Sequence, residues 1–202
     1  MIDDLTATST LRSRTRNAIL EAAISVFVND RSTSLGKVAE RAGVARSTLH
    51  RYFPERSDLL NAVREYARDK VERIRDAARI HEGPASEAVV RLAVGYLEVW
   101  DAVMWDYMEA EAAGENPDES EDVAITQLIE RGYKDGTIDP AIPNAWIQHT
   151  MYAMVYSSWD YIRAGHSRHE AAKLCEASIR KLITPPSHVT PPTTRSSDHP
   201  FG

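Results

Sequence analysis

The residues whose types and spacing carry the most chemistry lie in one run, Thr33-Ser34-Leu35-Gly36-Lys37-Val38-Ala39-Glu40-Arg41-Ala42-Gly43-Val44-Ala45-Arg46-Ser47-Thr48-Leu49-His50-Arg51-Tyr52-Phe53-Pro54-Glu55-Arg56. Hydroxyls, cations and an imidazole here are all donors to phosphate oxygens, and arginine is also the best bidentate reader of a guanine edge. The apolar positions Val38, Ala42, Val44, Leu49 and, in part, Tyr52 point these groups outward by pointing inward themselves. They predict a helix over 35–42, a turn at Gly43-Val44-Ala45, and a second helix over 46–53 stopped by Pro54. Such a pair needs a small residue where the backbones cross, and Ala39 stands there. It also needs a residue tolerant of φ > 0 after the first helix, which Gly43 supplies. Thr33 or Ser34 is placed to cap the first helix and offer a hydroxyl to a phosphate. The window meets every requirement of a helix–turn–helix; the competing reading is an αα-hairpin with no nucleic-acid role.

A second chemistry lies in the middle of the chain. Between Arg91 and Arg131 there is no Lys or Arg, while eleven Asp and Glu occur there. Aromatic and Met side chains are interleaved with them. Unpaired carboxylates beside aromatic faces and adaptable Met suit a pocket for a large apolar ligand, with positive charge on it a further option. The candidate pocket residues are Tyr66, Tyr96, Trp100, Met104, Trp105, Met108, Gln127, Tyr152, Tyr156 and Trp159. The competing view makes the acids a solvated face, above all over 115–122, and the aromatics core. Enzyme signals are absent from the sequence: no Gly-rich phosphate loop, GxSxG elbow or HExxH occurs. Cys175 lies on an apolar stripe and reads as packing. His166 and His169 stand three apart but lack a clear third and fourth metal ligand. No catalysis, cofactor or metal is expected.

The elements that must position these groups read as helices throughout. Residues 1–11, rich in Thr, Ser and Asp, read as a flexible arm. Helical apolar spacing then covers 12–28, 57–82, 86–113 (with two helices or a bend inside it), 119–134, 145–164 and 167–183. Residues 114–118 form a loop, and Pro143 sits at a first helical turn. The Pro-, Ser- and Thr-rich stretch 184–202 reads as a disordered tail. The fold class is all-α, about nine helices, with no internal repeat. An N-terminal three-helix head over 12–58 is followed by a helical ligand-binding and dimerisation body over 59–183.

The run 33–60 resembles the signature of TetR-type, tetracycline-repressor-like, transcriptional regulators, and Ala22, Ala23 and Phe27 in the preceding helix fit it. The motif spans roughly 13–73; beyond it the resemblance is architectural. Ala45 stands where the family usually has Ser, which weakens the cap of the second helix. His50 stands where it usually has Tyr, and Gly36 replaces a commonly charged position. The resemblance implies base readout by Arg46, Ser47 and Arg51, and phosphate contacts from Ser34, Lys37, Thr48, His50, Tyr52 and Arg56. It implies a homodimer built on the last two helices, with Ile147, Met151, Met154, Val155, Leu174, Ile179 and Leu182 at the interface. The function implied is a ligand-responsive repressor on a pseudo-palindromic double-stranded DNA operator, released by a small-molecule inducer. The alternative is a helical ligand- or partner-binding protein of this fold that activates or works away from an operator.

Charge supports the head as the DNA-facing part. The 202-residue chain carries a net −6, which read alone argues against nucleic acid. Residues 12–56 hold nine Lys and Arg against four acids, a net of +5, so the remainder carries −11. A basic head on an acidic body is what phosphate binding requires. No stretch reaches the length of a membrane span, the N-terminus lacks a secretory h-region, and a lone cysteine suits a reducing compartment; a cytoplasmic protein is expected.

Overall fold

A computed structural model describes residues 2–113 and 122–186. Among the described residues there are nine helices and no strand. They are α1 (Ile2–Phe27), α2 (Leu35–Arg41), α3 (Arg46–Tyr52), α4 (Arg56–Ala78), α5 (Ala85–Glu98), α6 (Trp100–Ala112), α7 (Val123–Lys134), α8 (Asn144–Arg163) and α9 (Arg168–Ile183). No described helix is long and apolar enough to cross a membrane. The expected loop over 114–118 and the stretch 187–202 of the expected tail lie outside the described residues.

The head forms as its sequence dictates. Ser34 caps α2, its Oγ accepting from Lys37 N at 3.4 Å. Gly43 adopts φ +66°, and Val44 N–H returns to the Ala39 carbonyl at 3.0 Å, closing the turn. Ala39 is buried at the crossing. Val38, Leu49 and Phe53 join Ile19, Leu20, Ala23 and Phe27 of α1 in one core. α4 begins with a capping box, in which Glu55 N–H donates to Asp58 Oδ2 at 3.0 Å.

Two expectations about extent are corrected. α1 runs back to Ile2, so most of the expected arm is helical. Nothing between Ile2 and Arg12 breaks a helix, and propagation from a nucleated helix costs little. α4 stops at Ala78 instead of 82, because Arg79 turns left-handed at φ 48°. That end is firmly held. Arg91 donates to the carbonyls of Ala78, Arg79 and Glu82. Arg131 donates to those of Ile80 and Gly83.

In the body, α5 packs against α4, α7, α8 and α9. Gly95 permits a close approach of α5 to α4, since a Cβ there would meet Ile74 Cγ2 at 2.6 Å. The long apolar segment breaks at Val99, whose backbone leaves the helical region at φ −121° and ψ 25° and separates α5 from α6. Asp122 caps α7, accepting from Ala124 N at 3.0 Å, and Ser167 caps α9. The hydrophobic cluster is continuous from head to body: Phe27 of α1 meets Trp105 of α6 with ring centroids 6.1 Å apart.

Candidate nucleic-acid interface and ligand cleft

α3 presents Arg46, Ser47 and Arg51 to solvent, and α2 presents Ser34 and Lys37. Thr48 is half-buried. Arg51 lies over the Tyr52 ring with Cζ 5.9 Å from its centroid, and Tyr52 itself packs half-buried beside Phe53. His50 is exposed, with Nδ1 3.4 Å from the Pro54 carbonyl. Ala45, the N-cap of α3, makes no side-chain cap hydrogen bond, as its lack of a hydroxyl dictates.

Three of the head's cations face elsewhere. Arg56, expected on a phosphate, is corrected: it donates to the Thr33 carbonyl at 2.7 Å and to the Arg31 carbonyl, over the Phe27 ring at 4.7 Å. A guanidinium in that position satisfies the carbonyls of the loop before α2 and anchors α4 to it. Arg31 pairs with Glu109 of α6 and lies over the Trp105 ring at 5.2 Å. Glu109 also accepts from Arg64 Nε of α4 at 2.8 Å. One carboxylate thus joins the head loop, α4 and α6. Arg41 turns toward a cleft between head and body. The cations left on the outer face of the head include Lys37, Arg46 and Arg51.

That cleft has a volume of about 490 Å³. Its walls come from α1, the end of α2, α4, the α5–α6 break, α8 and the start of α9. Of the ten residues expected in a pocket, Trp100 and Trp159 line it. Tyr156 bridges their rings, 6.1 Å from Trp100 and 6.0 Å from Trp159, and is half exposed. Tyr66 stands one step away, donating to Glu21 Oε1 of the cleft wall at 3.0 Å, and burial together with that contact pushes its phenol up to about 12. Met104 and Met108 are half-buried and not among the lining residues. Tyr96 and Tyr152 stack on each other at 6.0 Å inside the body, where Arg75 Nε donates to the Tyr96 hydroxyl. Two expectations are overturned here. Trp105 is 1% exposed and is core against Phe27. Gln127 is exposed, because α7 turns Ile125, Leu128 and Ile129 inward and leaves Gln127 outside. The carboxylates of the middle segment are also not all unpaired, since Glu109 holds Arg31 and Asp122 holds Arg75.

Asp101, which the sequence did not single out, lines the cleft with Glu98 and Glu21. Burial raises its carboxyl above the usual carboxylate range, against the pull of Lys70, Arg163 and Arg41. Its signal in the sequence was its place beside Trp100, directly after the helix break.

The expected dimer residues divide. Ile147, Met151, Val155 and Ile179 are buried within the subunit and correct the expectation, because α8 and α9 pack these stripes on each other and on α5. Met154 and Leu182 are half-buried. Leu174 is 49% exposed, and Trp146, near the start of α8, is 62% exposed. Cys175 is buried, and burial pushes its thiol up. His166 is exposed and stacks on Tyr161.

A basic helix–turn–helix head continuous with a helical body defines a DNA-binding transcriptional regulator. Residues 19–63 match the family described as bacterial regulatory proteins, tetR family. Over 181 residues the chain is 31% identical to the HTH-type transcriptional repressor LfrR of Mycolicibacterium smegmatis, covering 87% of this chain and 94% of that one. The crystal structure of LfrR from Mycobacterium smegmatis matches with a TM-score of 0.70 at 29% identity, over 86% of this chain and 98% of that chain. LfrR in complex with proflavine matches with a TM-score of 0.62 at the same identity and coverage. The chain belongs to the tetR family of bacterial regulatory proteins.

Proposed function

We propose that the protein is a homodimeric repressor that binds a pseudo-palindromic operator and is released when a lipophilic, positively charged small molecule binds. The observation that carries this reading is the sorting of the head's cations. Arg31 and Arg56 are engaged within the protein and Arg41 lines the cleft between head and body, while Lys37, Arg46 and Arg51 stay on the outer face of α2 and α3. Arg46, Ser47 and Arg51 then face base edges, and Ser34, Lys37, Thr48, His50 and Tyr52 set register on phosphates. One small motif reads too few base pairs for tight binding, so two heads act together. The exposed Trp146, Ala153, Leu174 and Ala177 on α8 and α9 offer an apolar, small-residue face for a second copy. The positive charge of the ligand is supported by the acid-rich, aromatic middle of the chain and by proflavine, a planar aromatic cation, in the LfrR complex. Such a protein works where the DNA is, in the cytoplasm.

The test is footprinting on genomic fragments followed by titration of the site found. Arg46→Ala is expected to weaken binding by about 1–3 kcal/mol and to relax preference at one base pair of each half-site. Equal affinity and equal preference in the variant would remove Arg46 from its role.

A further inference from the structure

We propose that the cleft between head and body is itself a site for a lipophilic organic cation, held by Asp101 against the rings of Trp100 and Trp159. This rests on the ligand-responsive reading above, and it places that ligand at the junction and not within the helices of the body. The volume, about 490 Å³, is that of a small-molecule pocket.

The walls define the occupant's chemistry. Ala18, Ala22 and Ser25 of α1 give a surface of small side chains that leaves room. The α5–α6 break contributes the unbroken run Leu97 to Ala102, so a helix interruption forms part of the wall. Trp100, Tyr156 and Trp159 form a chain of rings at about 6 Å spacing. Arg163 already lies over Trp159, its Cζ 4.7 Å from the centroid, so this ring stabilises a cation in the protein itself.

The three acids of the wall are not equivalent. Glu21 is engaged by Lys70 at 3.3 Å and by Tyr66. Asp101 is partly buried and hydrogen-bonded by the Trp159 side chain, but it forms no salt bridge among the described residues; Lys70, Arg163 and Arg41 act on it without reaching that distance. A desolvated carboxylate whose direct partner is a neutral indole still lacks the paired positive charge that an organic cation supplies. Arg41, Lys70 and Arg168 also line the cleft and argue for an anion instead. Lys70 is already committed to Glu21, and Arg41 and Arg168 are exposed, so their charges are hydrated. The balance favours the cation.

The position carries a consequence. Arg41 and Ala42 end the first helix of the helix–turn–helix, and Trp159 belongs to the body. An occupant touches both at once and wedges them at one spacing. Its effect on DNA then equals its differential affinity for the two spacings.

The experiment uses tetraphenylphosphonium and tetraphenylborate, a cation and an anion of one shape, titrated into the full-length protein by calorimetry. The phosphonium is expected to bind, to exceed the borate by at least tenfold, and to weaken operator binding. Asp101→Asn and Trp159→Ala are expected to reduce its affinity at least tenfold, and Tyr152→Phe, inside the body, to leave it unchanged. Cooperative thermal melts of each variant show that folding is intact. Equal binding of both ions, borate preference, or unchanged affinity in Asp101→Asn overturns the site. So does loss of phosphonium affinity in Tyr152→Phe alone, which moves the ligand into the body and leaves the ligand-responsive reading standing. Failure of the ligand-free protein to bind any DNA site instead defeats the reading on which the site rests.

Discussion

Arg46 and Arg56 are ten residues apart and chemically identical, yet one faces solvent and the other holds the loop before α2. Sequence registers the residue type and the helical face, and both arginines qualify on those grounds. What separates them is a tertiary partner, the Phe27 ring and two loop carbonyls, which no local pattern announces. Ala45 is different, because its consequence is local and was legible. Its backbone already has the extended geometry of an N-cap, φ −66° and ψ 146°, with no acceptor to offer. Ala45→Ser is therefore expected to stabilise the protein by about 1 kcal/mol, read as a rise in melting temperature. A lower melting temperature would show that the hydroxyl does not reach the α3 backbone. Asp101 gives a pH-dependent expectation. Its folded carboxyl is raised by burial, so the folded state binds the proton more tightly than the unfolded chain. Stability falls as pH rises through the window between the ordinary and the raised value, and the penalty persists at neutral pH. Asp101→Asn should melt higher than the parent at pH 7, with the gap closing in acid. A gap that is absent at pH 7, or that widens in acid, would contradict the assignment. A variant that stabilises the fold while losing the phosphonium is the pattern of a binding residue held at a cost to the fold.

At the scale of elements, helix existence followed from apolar spacing, and boundaries followed less well. The break inside 86–113 was visible as excess length, but not its position at Val99. α8 shows why interface residues were misassigned. It is apolar on several sides, and Ile147, Met151 and Val155 carry the same hydrophobic signal whether they meet α5 and α9 or a second subunit. Only the packing reveals that the outward face is carried by Trp146 and by small residues. Glu109 is the clearest element-scale link: its carboxylate, 12% exposed, joins Arg31 of the head loop and Arg64 of α4 to α6. Glu109→Gln weakens both ion pairs in a partly solvated setting, which is expected to cost about 1–2 kcal/mol of unfolding free energy by chemical denaturation. The same variant should show a smaller effect of ligand on operator affinity, because head and body are less firmly joined. Undiminished coupling would mean that the link is structural only.

For the whole molecule, the net charge of −6 concealed a basic head on an acidic body, and within the head Lys37, Arg46 and Arg51 of α2 and α3 are the exposed cations to which the proposed DNA contact is assigned. Leu174→Asp places a charge on the proposed partner face without touching the subunit core. It is expected to shift sedimentation at micromolar protein toward the monomer and to lower operator affinity by an order of magnitude or more. A variant that still sediments as a dimer would relocate the interface. The two-arginine clamp at the far end of α4 gives the molecule a fulcrum. α4 has 23 residues and so a length of about 34 Å. Pivoted where Arg91 and Arg131 hold the chain, a tilt of about 5° carries the head end through about 3 Å. In a dimer the two displacements add to about 6 Å, set against a half-site repeat of about 34 Å. The leverage in the proposed response then comes from a loop that lies outside both α2–α3 and the cleft, so mutations at Arg91 or Arg131 should blunt the response to a ligand while leaving both proposed binding surfaces untouched.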